Sequence, residues 1–245
     1  MAHIRYFFVR GQRAAFTLIE LLVVIGIMAV LAAGLGVTIR SFDGRAKMQS
    51  SQGLLLAALN SARAKAAVQQ TTVCLLLNAD KDDVEKYLRE IIPVTKNGTD
   101  WTVVGDSIIL PNGVYVIPPD LGAVFPAKYD SSTLASDWSK IKSFATSSST
   151  SSATIYAPSG GASLRTLEAF QIVKFDSLGR FNAQTTIANQ RTVLAVTTGE
   201  PKPGSGVTFR DHEQARGVWF SRYGVVVPIN EKAGFDYNAT DYDSR

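Results

Sequence analysis

The spacing of apolar residues changes along the chain and divides it into a helical first part and a β-rich second part. From Phe16 to Val37 the residues are apolar apart from Glu20 and small or hydroxyl side chains. Roughly 20 such residues form a helix long enough to span a bilayer core. Over residues 38–70 the apolar positions recur at helical spacing instead, at Leu55, Leu59, Ala62 and Ala66. We therefore predict one long helix, transmembrane over residues 16–37 and amphipathic over 38–70.

After residue 70 the pattern becomes short apolar runs separated by turn residues, which is typical of strands. The runs are VCLLL, WTVV, SIIL, VYVI, FQIVKF, RTVLAVTT, GVTF, VWF and YGVVVPI. The segment from Asp80 to Ile92 fits either a short capped helix or the approach to a strand. Residues 143–152 are too polar to be buried and predict a surface loop. The predicted fold class is α+β, with the long N-terminal helix packed on an antiparallel β-rich head over residues 71–245.

Two further features concern the helix and the thiol chemistry of the head. Gly44 and Gly53 weaken the middle of the predicted helix, so we expect a break there. Cys74 is the single cysteine, which excludes an intramolecular disulfide and predicts a buried free thiol. Of the two histidines, His3 lies in the basic N-terminal segment, so His212 has no second histidine with which to form a paired-histidine metal motif.

The formal net charge of +4 is concentrated at the N-terminus. Residues 1–15 hold Arg5, Arg10 and Arg13 and no acidic residue, so the remaining chain is close to neutral. There is accordingly little sequence-wide electrostatic attraction to nucleic acid. The same arginines keep the amino end of a membrane helix in the cytoplasm.

Glu20 distinguishes three interpretations of the apolar segment: a cleaved secretory signal, a plain signal anchor, and a membrane helix that later packs into a filament. A cleaved signal could end at residues 30–32. However, a charged side chain costs about 2.5–3.5 kcal/mol at the centre of such a helix and is usually retained for a partner. Cleavage between Ala15 and Phe16 would create an α-amino group four residues before Glu20, and this cation could be that partner.

The stretch from Ala15 to Ile25, AFTLIELLVVI, resembles the class III leader junction of type IV pilins and type II secretion pseudopilins. The resemblance implies a prepilin leader over residues 1–15, cleavage between Ala15 and Phe16, and N-methylation of Phe16. It also implies that Glu20 helps to place each subunit against its neighbour. The chain departs from the family pattern in having Ala15 where glycine is usual, and in lacking the proline common further along the mature helix.

Parts of the head resemble H-type minor pseudopilins and FimT-like minor pilins. These parts are the helix-to-strand passage LLLAALNSARAKAAVQQTTVCLLL and the hairpin-like pieces SIILPNGVYV and VKFDSLGR. Together the resemblances imply a structural, non-enzymatic subunit of a type IV pilus or a type II secretion pseudopilus. Its partners would be prepilin peptidase, other pilin or pseudopilin subunits and an inner-membrane assembly platform.

The expected location is the bacterial inner membrane, with a single pass and the head in the periplasm or on the cell surface. Two alternatives stay open at this point. The chain could be a minor pilin that binds DNA during uptake, or a membrane-anchored surface protein with no role in assembly.

Motifs for catalysis and cofactors are absent from the sequence. No HExxH, GxSxG, Walker A, CxxC or GxGxxG pattern occurs, so no active site and no cofactor are predicted. His212 lies between two acidic residues, a pattern more typical of a solvated loop than of acid–base catalysis. Oxygen ligands alternate in the C-terminal tail, which makes a weak candidate for a calcium site, at Asp236, Asn238, Asp241 and Asp243. A solvated acidic tail explains this pattern better, because the glycine and the glutamate of an EF-hand loop are missing.

Basic and aromatic residues meet in one stretch near the C-terminus, where Arg210, Arg216 and Arg222 accompany Trp219 and Tyr223. Such a mixture is a weak candidate for nucleic-acid binding. The alternation of Val218 and Phe220 with Trp219 and Ser221 fits a half-buried strand equally well.

Overall fold

The computed structural model describes residues 17–98, 100–118, 150–158, 162–181, 192–202, 206–209, 214–220, 225–231 and 234–235, with the side chains of residues 32–43, 97 and 192 outside this description. Contacts divide the chain into two compact units, Met1–Asp43 and Gly44–Arg245.

Helix α1 spans Leu18–Gln69. The helical assignment continues through Gly44 and Gly53, so the expected break is wrong. A glycine costs about 1 kcal/mol relative to alanine in a helix, and tertiary packing outweighs this cost, because the neighbouring Met48 and Leu55 are buried in the core.

In the described residues eleven strands follow the helix. Their bounds are β1 Val73–Asn78, β2 Glu90–Asn97, β3 Asp100–Val103, β4 Ile108–Ile109, β5 Val114–Val116, β6 Ser151–Tyr156, β7 Ser163–Phe175, β8 Thr192–Lys202, β9 Gly206–Phe209, β10 Arg216–Phe220 and β11 Val226–Ile229.

Five strands of the first sheet form a closed ring. Strand β1 pairs with β2 and β7, β7 pairs with β6, β6 pairs with β3, and β3 pairs with β2, which returns to the start. Strand β4 is attached to β2. These pairings are antiparallel except for β3 with β6, which is parallel. The interior of the ring is filled by one cluster of buried side chains: Cys74, Leu76, Ile92, Val94, Trp101, Ala153, Ile155, Leu167 and Ala169.

The second sheet has the order β11-β10-β8-β5, with β9 also on β8, and its pairings are antiparallel. A larger core joins this sheet, the outer face of the ring and the second half of α1. The helix contributes Met48, Leu55, Leu59, Ala62 and Ala66, all at most 2% exposed. The predicted apolar stripe is therefore confirmed, and so is the α+β fold class with a helix packed on antiparallel sheets.

Two polar side chains of α1 attach it to the head by hydrogen bonds to backbone carbonyls. Gln52 is 5% exposed, and its Nε2 donates to the carbonyls of Gly217 (2.8 Å) and Ile229 (3.0 Å) in β10 and β11. Arg63 donates through Nε to the carbonyl of Gly179, 3.2 Å away, in the turn that follows β7. The helix is thus bound to both sheets by polar as well as apolar contacts.

One of the two predicted hairpins is present and the other is not. In VKFDSLGR, Phe175 pairs with Phe181 around a turn in which the Asp176 carboxylate accepts from the backbone of Leu178 and Arg180. In SIILPNGVYV the two strands do not pair: β4 joins β2 in the first sheet, and β5 joins β8 in the second. The Pro111–Gly113 turn therefore carries the chain from one sheet to the other.

The structure also decides one ambiguous segment and part of a predicted loop. From Asp80 to Arg89 the chain forms turns and not a helix, and the strand β2 then begins at Glu90. Of the predicted polar loop over residues 143–152, Ser151 and Ser152 are instead the exposed first residues of β6. The loop prediction is wrong for these two residues, because alternate buried positions at Ala153 and Ile155 extend a strand back to them. Residues 143–149 lie outside the described residues.

Candidate functional site at the start of the helix

The first turn of α1 is a capping box formed by Thr17 and Glu20. The Thr17 side-chain Oγ1 accepts a hydrogen bond from the Glu20 backbone N (3.3 Å). In return, Glu20 Oε2 accepts from both the backbone N and the hydroxyl of Thr17, each at 2.9 Å. This reciprocal arrangement satisfies backbone donors that a helix N-terminus leaves unpaired. It fixes the start of the helix at Leu18, two residues after Phe16.

Sequence reasoning identified Glu20 as the unusual residue but did not identify Thr17 as its hydrogen-bond partner at the start of the helix. A threonine followed three residues later by glutamate and then by an apolar run is a recognisable capping signal, and Thr17-Leu18-Ile19-Glu20 has this form. Both bonds from Thr17 reach Oε2. Among the described residues, Oε1 has no hydrogen-bond partner and remains available to a donor from outside the helix.

The helix around Glu20 exposes apolar side chains on every side. Its large apolar residues from Leu18 to Leu31 are between 43% and 81% exposed. An apolar helix with no polar face is stable only when another apolar environment covers it. In the part of the chain that the structure describes, no helix is both long enough and apolar enough to cross a membrane.

Several predicted site residues lie outside the described residues. These are the cleavage pair Ala15 and Phe16, His212, the weak calcium candidates Asp236, Asn238, Asp241 and Asp243, and two of the three weak nucleic-acid candidates, Arg210 and Arg222. Within the described ranges, no group of three or more metal-ligating side chains is close enough to hold a metal ion.

The third nucleic-acid candidate, Arg216, is placed in β10. It is half-buried and pairs with Val196 of β8. The neighbouring Val218 and Phe220 are buried, and Trp219 packs partly buried against the main core. The strand interpretation is confirmed over Arg216–Phe220, and Ser221 lies outside the described residues.

Cys74 is confirmed as a buried free thiol. It is 1% exposed inside the ring, and Gln171 Nε2 donates to its Sγ at 3.4 Å. Burial raises the pKa of the thiol to about 11, although the charges of Lys174 and Lys96 act in the opposite direction. At neutral pH the group is therefore protonated and a poor nucleophile.

Comparison with protein families gives a match in the N-terminal part of the chain. The family model described as "Prokaryotic N-terminal methylation motif" matches residues 10–36. The matched range contains the predicted cleavage pair together with Thr17 and Glu20. Neither the comparison with curated proteins nor that with solved structures found a match.

The motif implies that prepilin peptidase processes the chain and that the protein is a membrane-anchored, pilin-like structural protein and not an enzyme. The subtype, H-type pseudopilin or FimT-like minor pilin, is not resolved by this match. Over residues 10–36 the chain thus carries the prokaryotic N-terminal methylation motif of the prepilin type.

Proposed function

We propose that the protein is a minor pilin or pseudopilin, a structural subunit of a type IV pilus or a type II secretion pseudopilus. Prepilin peptidase cuts it between Ala15 and Phe16, Phe16 is N-methylated, and an inner-membrane platform adds the subunit to a filament through the helix over residues 16–37. The head, residues 71–245, lies in the periplasm or on the cell surface. One observation carries this proposal: within the matched motif, a single carboxylate lies in a helix whose other described side chains are exposed and almost wholly apolar.

Either lipid or neighbouring helices can bury the apolar surface of this helix, and this supports a role in filament assembly. Transfer from lipid into a filament core exchanges one apolar environment for another, so packing and polar pairing decide whether association occurs. A carboxylate left unpaired in such a core is strongly unfavourable. Glu20 has Oε2 occupied by Thr17 and Oε1 without a partner among the described residues. The α-amino group of Phe16 in an adjacent subunit is a suitable donor for Oε1.

The capping box offers a way to separate the charge of Glu20 from its structural role. Glutamine also serves at this position of a capping box, so Glu20→Gln keeps the helix start and removes the charge. Thr17→Val removes the hydroxyl of the box and keeps the charge. Glu20→Leu removes both the charge and the side-chain acceptor.

Filaments sheared from cells and fractionated away from membranes test the proposal. We expect all three variants to be cleaved, Thr17→Val to enter filaments, and both Glu20 variants to stay in the membrane fraction. Incorporation of Glu20→Gln at the wild-type level would refute the pairing role of the charge. Exclusion of Thr17→Val while Glu20→Gln enters filaments would show that the helix cap, and not the charge, is what assembly requires.

Mass spectrometry of the mature N-terminus tests processing independently of assembly. The expected N-terminal residue is N-methyl-phenylalanine at Phe16. Replacement of Ala15 by a large residue should leave the longer, uncut form. A mature protein that begins beyond residue 30, or that keeps residues 1–15, would refute the proposed processing.

A further inference from the structure

The side chains on the inner face of the strand ring differ between its two ends. Residues opposite each other on paired strands share a face of the sheet. Lys174 lies opposite Cys74, and Lys96 lies opposite Trp101, and both Cys74 and Trp101 belong to the interior cluster. The two lysines therefore extend the inner face of the ring at the end where β1 begins and where β2 and β7 end. We refer to this end as the basic mouth.

A cavity of about 450 Å³ opens at the basic mouth. It is lined by Thr72, Cys74, Lys96, Gly98, Gln171 and Lys174. Barrel mouths are common positions for ligand sites, and this volume lies in the range of small-molecule pockets. Register brings the lining together, because a shift between Leu75 and Leu76 places both Gln171 and Lys174 of β7 on the inner face.

The lining of the basic mouth consists mainly of hydrogen-bond donors. It provides two ammonium groups, the Gln171 amide and the Thr72 hydroxyl, and it contains no carboxylate. Neither lysine forms an ion pair with any carboxylate among the described residues. Lys96 Nζ instead lies 5.5 Å from the centroid of the Trp101 ring, a cation–π contact that holds the charge over an apolar floor. Because the Cys74 thiol is protonated at neutral pH, it does not neutralise this charge.

At the opposite end of the same ring, a buried charge is paired with other residues of the chain. There the inner face ends in Glu90, which is 3% exposed. Its Oε2 is paired with Arg165 Nη2 at 2.6 Å and accepts from Asn78 Nδ2 at 3.2 Å. The charge at that end is matched by residues of the chain itself, whereas the two positive charges of the basic mouth are not matched within the described residues.

We propose that the basic mouth binds a small oxyanionic ligand through a carboxylate or phosphate group held between Lys96 and Lys174. Such a group would accept from both ammonium ions and from the Gln171 amide, and charge-assisted bonds of this kind are the strong ones. The competing explanation is that the two lysines only keep the open end of the ring hydrated. The proposal is independent of the role of the N-terminal helix.

Calorimetric titration of the full chain in neutral detergent tests this proposal. Inorganic phosphate and citrate are the two probes, at constant ionic strength, and they distinguish a phosphate ligand from a carboxylate one. We expect saturable binding of one equivalent of at least one probe. Lys96→Gln and Lys174→Gln should each raise Kd by about 10-fold or more, since each removes one charge next to the anion.

Two control variants make the outcome decisive. Lys202→Gln makes the same charge change on an exposed residue of the second sheet and should leave Kd unchanged. Lys174→Arg keeps the charge at the basic mouth and should retain binding, which also guards against loss through misfolding. The proposal is overturned if neither probe binds saturably, if Lys202→Gln weakens binding as much as Lys174→Gln, or if Lys174→Arg loses binding as fully as Lys174→Gln.

Discussion

Gln52 offers the sharpest test of how the helix is held on the head. It is 5% exposed, and its amide donates to the carbonyls of Gly217 and Ile229 at 2.8 and 3.0 Å. Replacement by methionine keeps the length and much of the volume of the side chain but removes both donors. Each hydrogen bond contributes about 0.5–1.5 kcal/mol net, and each buried acceptor left without a partner costs about 1–3 kcal/mol. Because these contributions overlap, we expect Gln52→Met to lower the free energy of unfolding by about 2–4 kcal/mol.

The measurement is urea unfolding of the full chain in neutral detergent, followed by tryptophan fluorescence. The midpoint should fall while the dependence on denaturant is unchanged, which indicates lost stability and not an altered unfolded state. Gln69→Met is the matched control, because Gln69 is an exposed residue of the same helix and surface changes usually stay within about 0.5 kcal/mol. A loss below about 1 kcal/mol in Gln52→Met, or an equal loss in both variants, would refute the importance attributed to these two bonds.

Two further predictions concern the turn after β7 and the buried thiol. Gly179→Ala should cost more stability than Gly98→Ala: both glycines have positive φ, of 69° and 64°, but an added Cβ at Gly179 would lie 3.2 Å from the Arg63 carbonyl oxygen, whereas Gly98 has open space. Equal shifts of the urea midpoint would exclude a role for this close approach. Burial raises the Cys74 pKa from 9.0 to about 11, so the folded state holds this proton more tightly than the unfolded state, and stability should be lost as pH rises from about 9 to 11. Cys74→Ala should remove this part of the pH dependence, and an unchanged slope of unfolding free energy against pH would contradict it.

Local patterns in the sequence were sufficient for the helix stripe and for most strands. Leu55, Leu59, Ala62 and Ala66 recur at helical spacing because one face meets a core, and that face is buried as predicted. Strand β6 was missed because its exposed positions are serine and threonine, so Ser151–Tyr156 has the composition of a loop. Its buried Ala153 and Ile155 make a faint alternation that only pairing with β7 turns into a strand.

Pairing between distant strands could not be predicted from these patterns. The runs SIIL and VYVI flank a turn signal, yet each joins a different sheet, because the partners β2 and β8 compete successfully with the local hairpin. The basic mouth has the same origin, since Lys96 of β2 lies far in sequence from Gln171 and Lys174 of β7 and meets them only through register. At the start of the helix, by contrast, the chemistry is local. Glu20 was identified from its charge alone, and its bond to Thr17 follows from a spacing that the sequence displays.

The pairings that close the strand ring determine the order in which the head can fold. Strands β1, β2 and β3 pair with near neighbours, and so do β6 and β7. The block of β1, β2 and β3 joins the block of β6 and β7 through two pairings. Strand β1 pairs with β7 over the length of β1, and β3 pairs with β6 through Trp101–Ile155 and Thr102–Tyr156. Non-local pairings of this kind form slowly, and synthesis proceeds from the N-terminus. During translation Cys74 and Trp101 therefore stay accessible to solvent until Phe175 has left the ribosome. Only then can β7, the last strand of the ring, pair with β1 and enclose them.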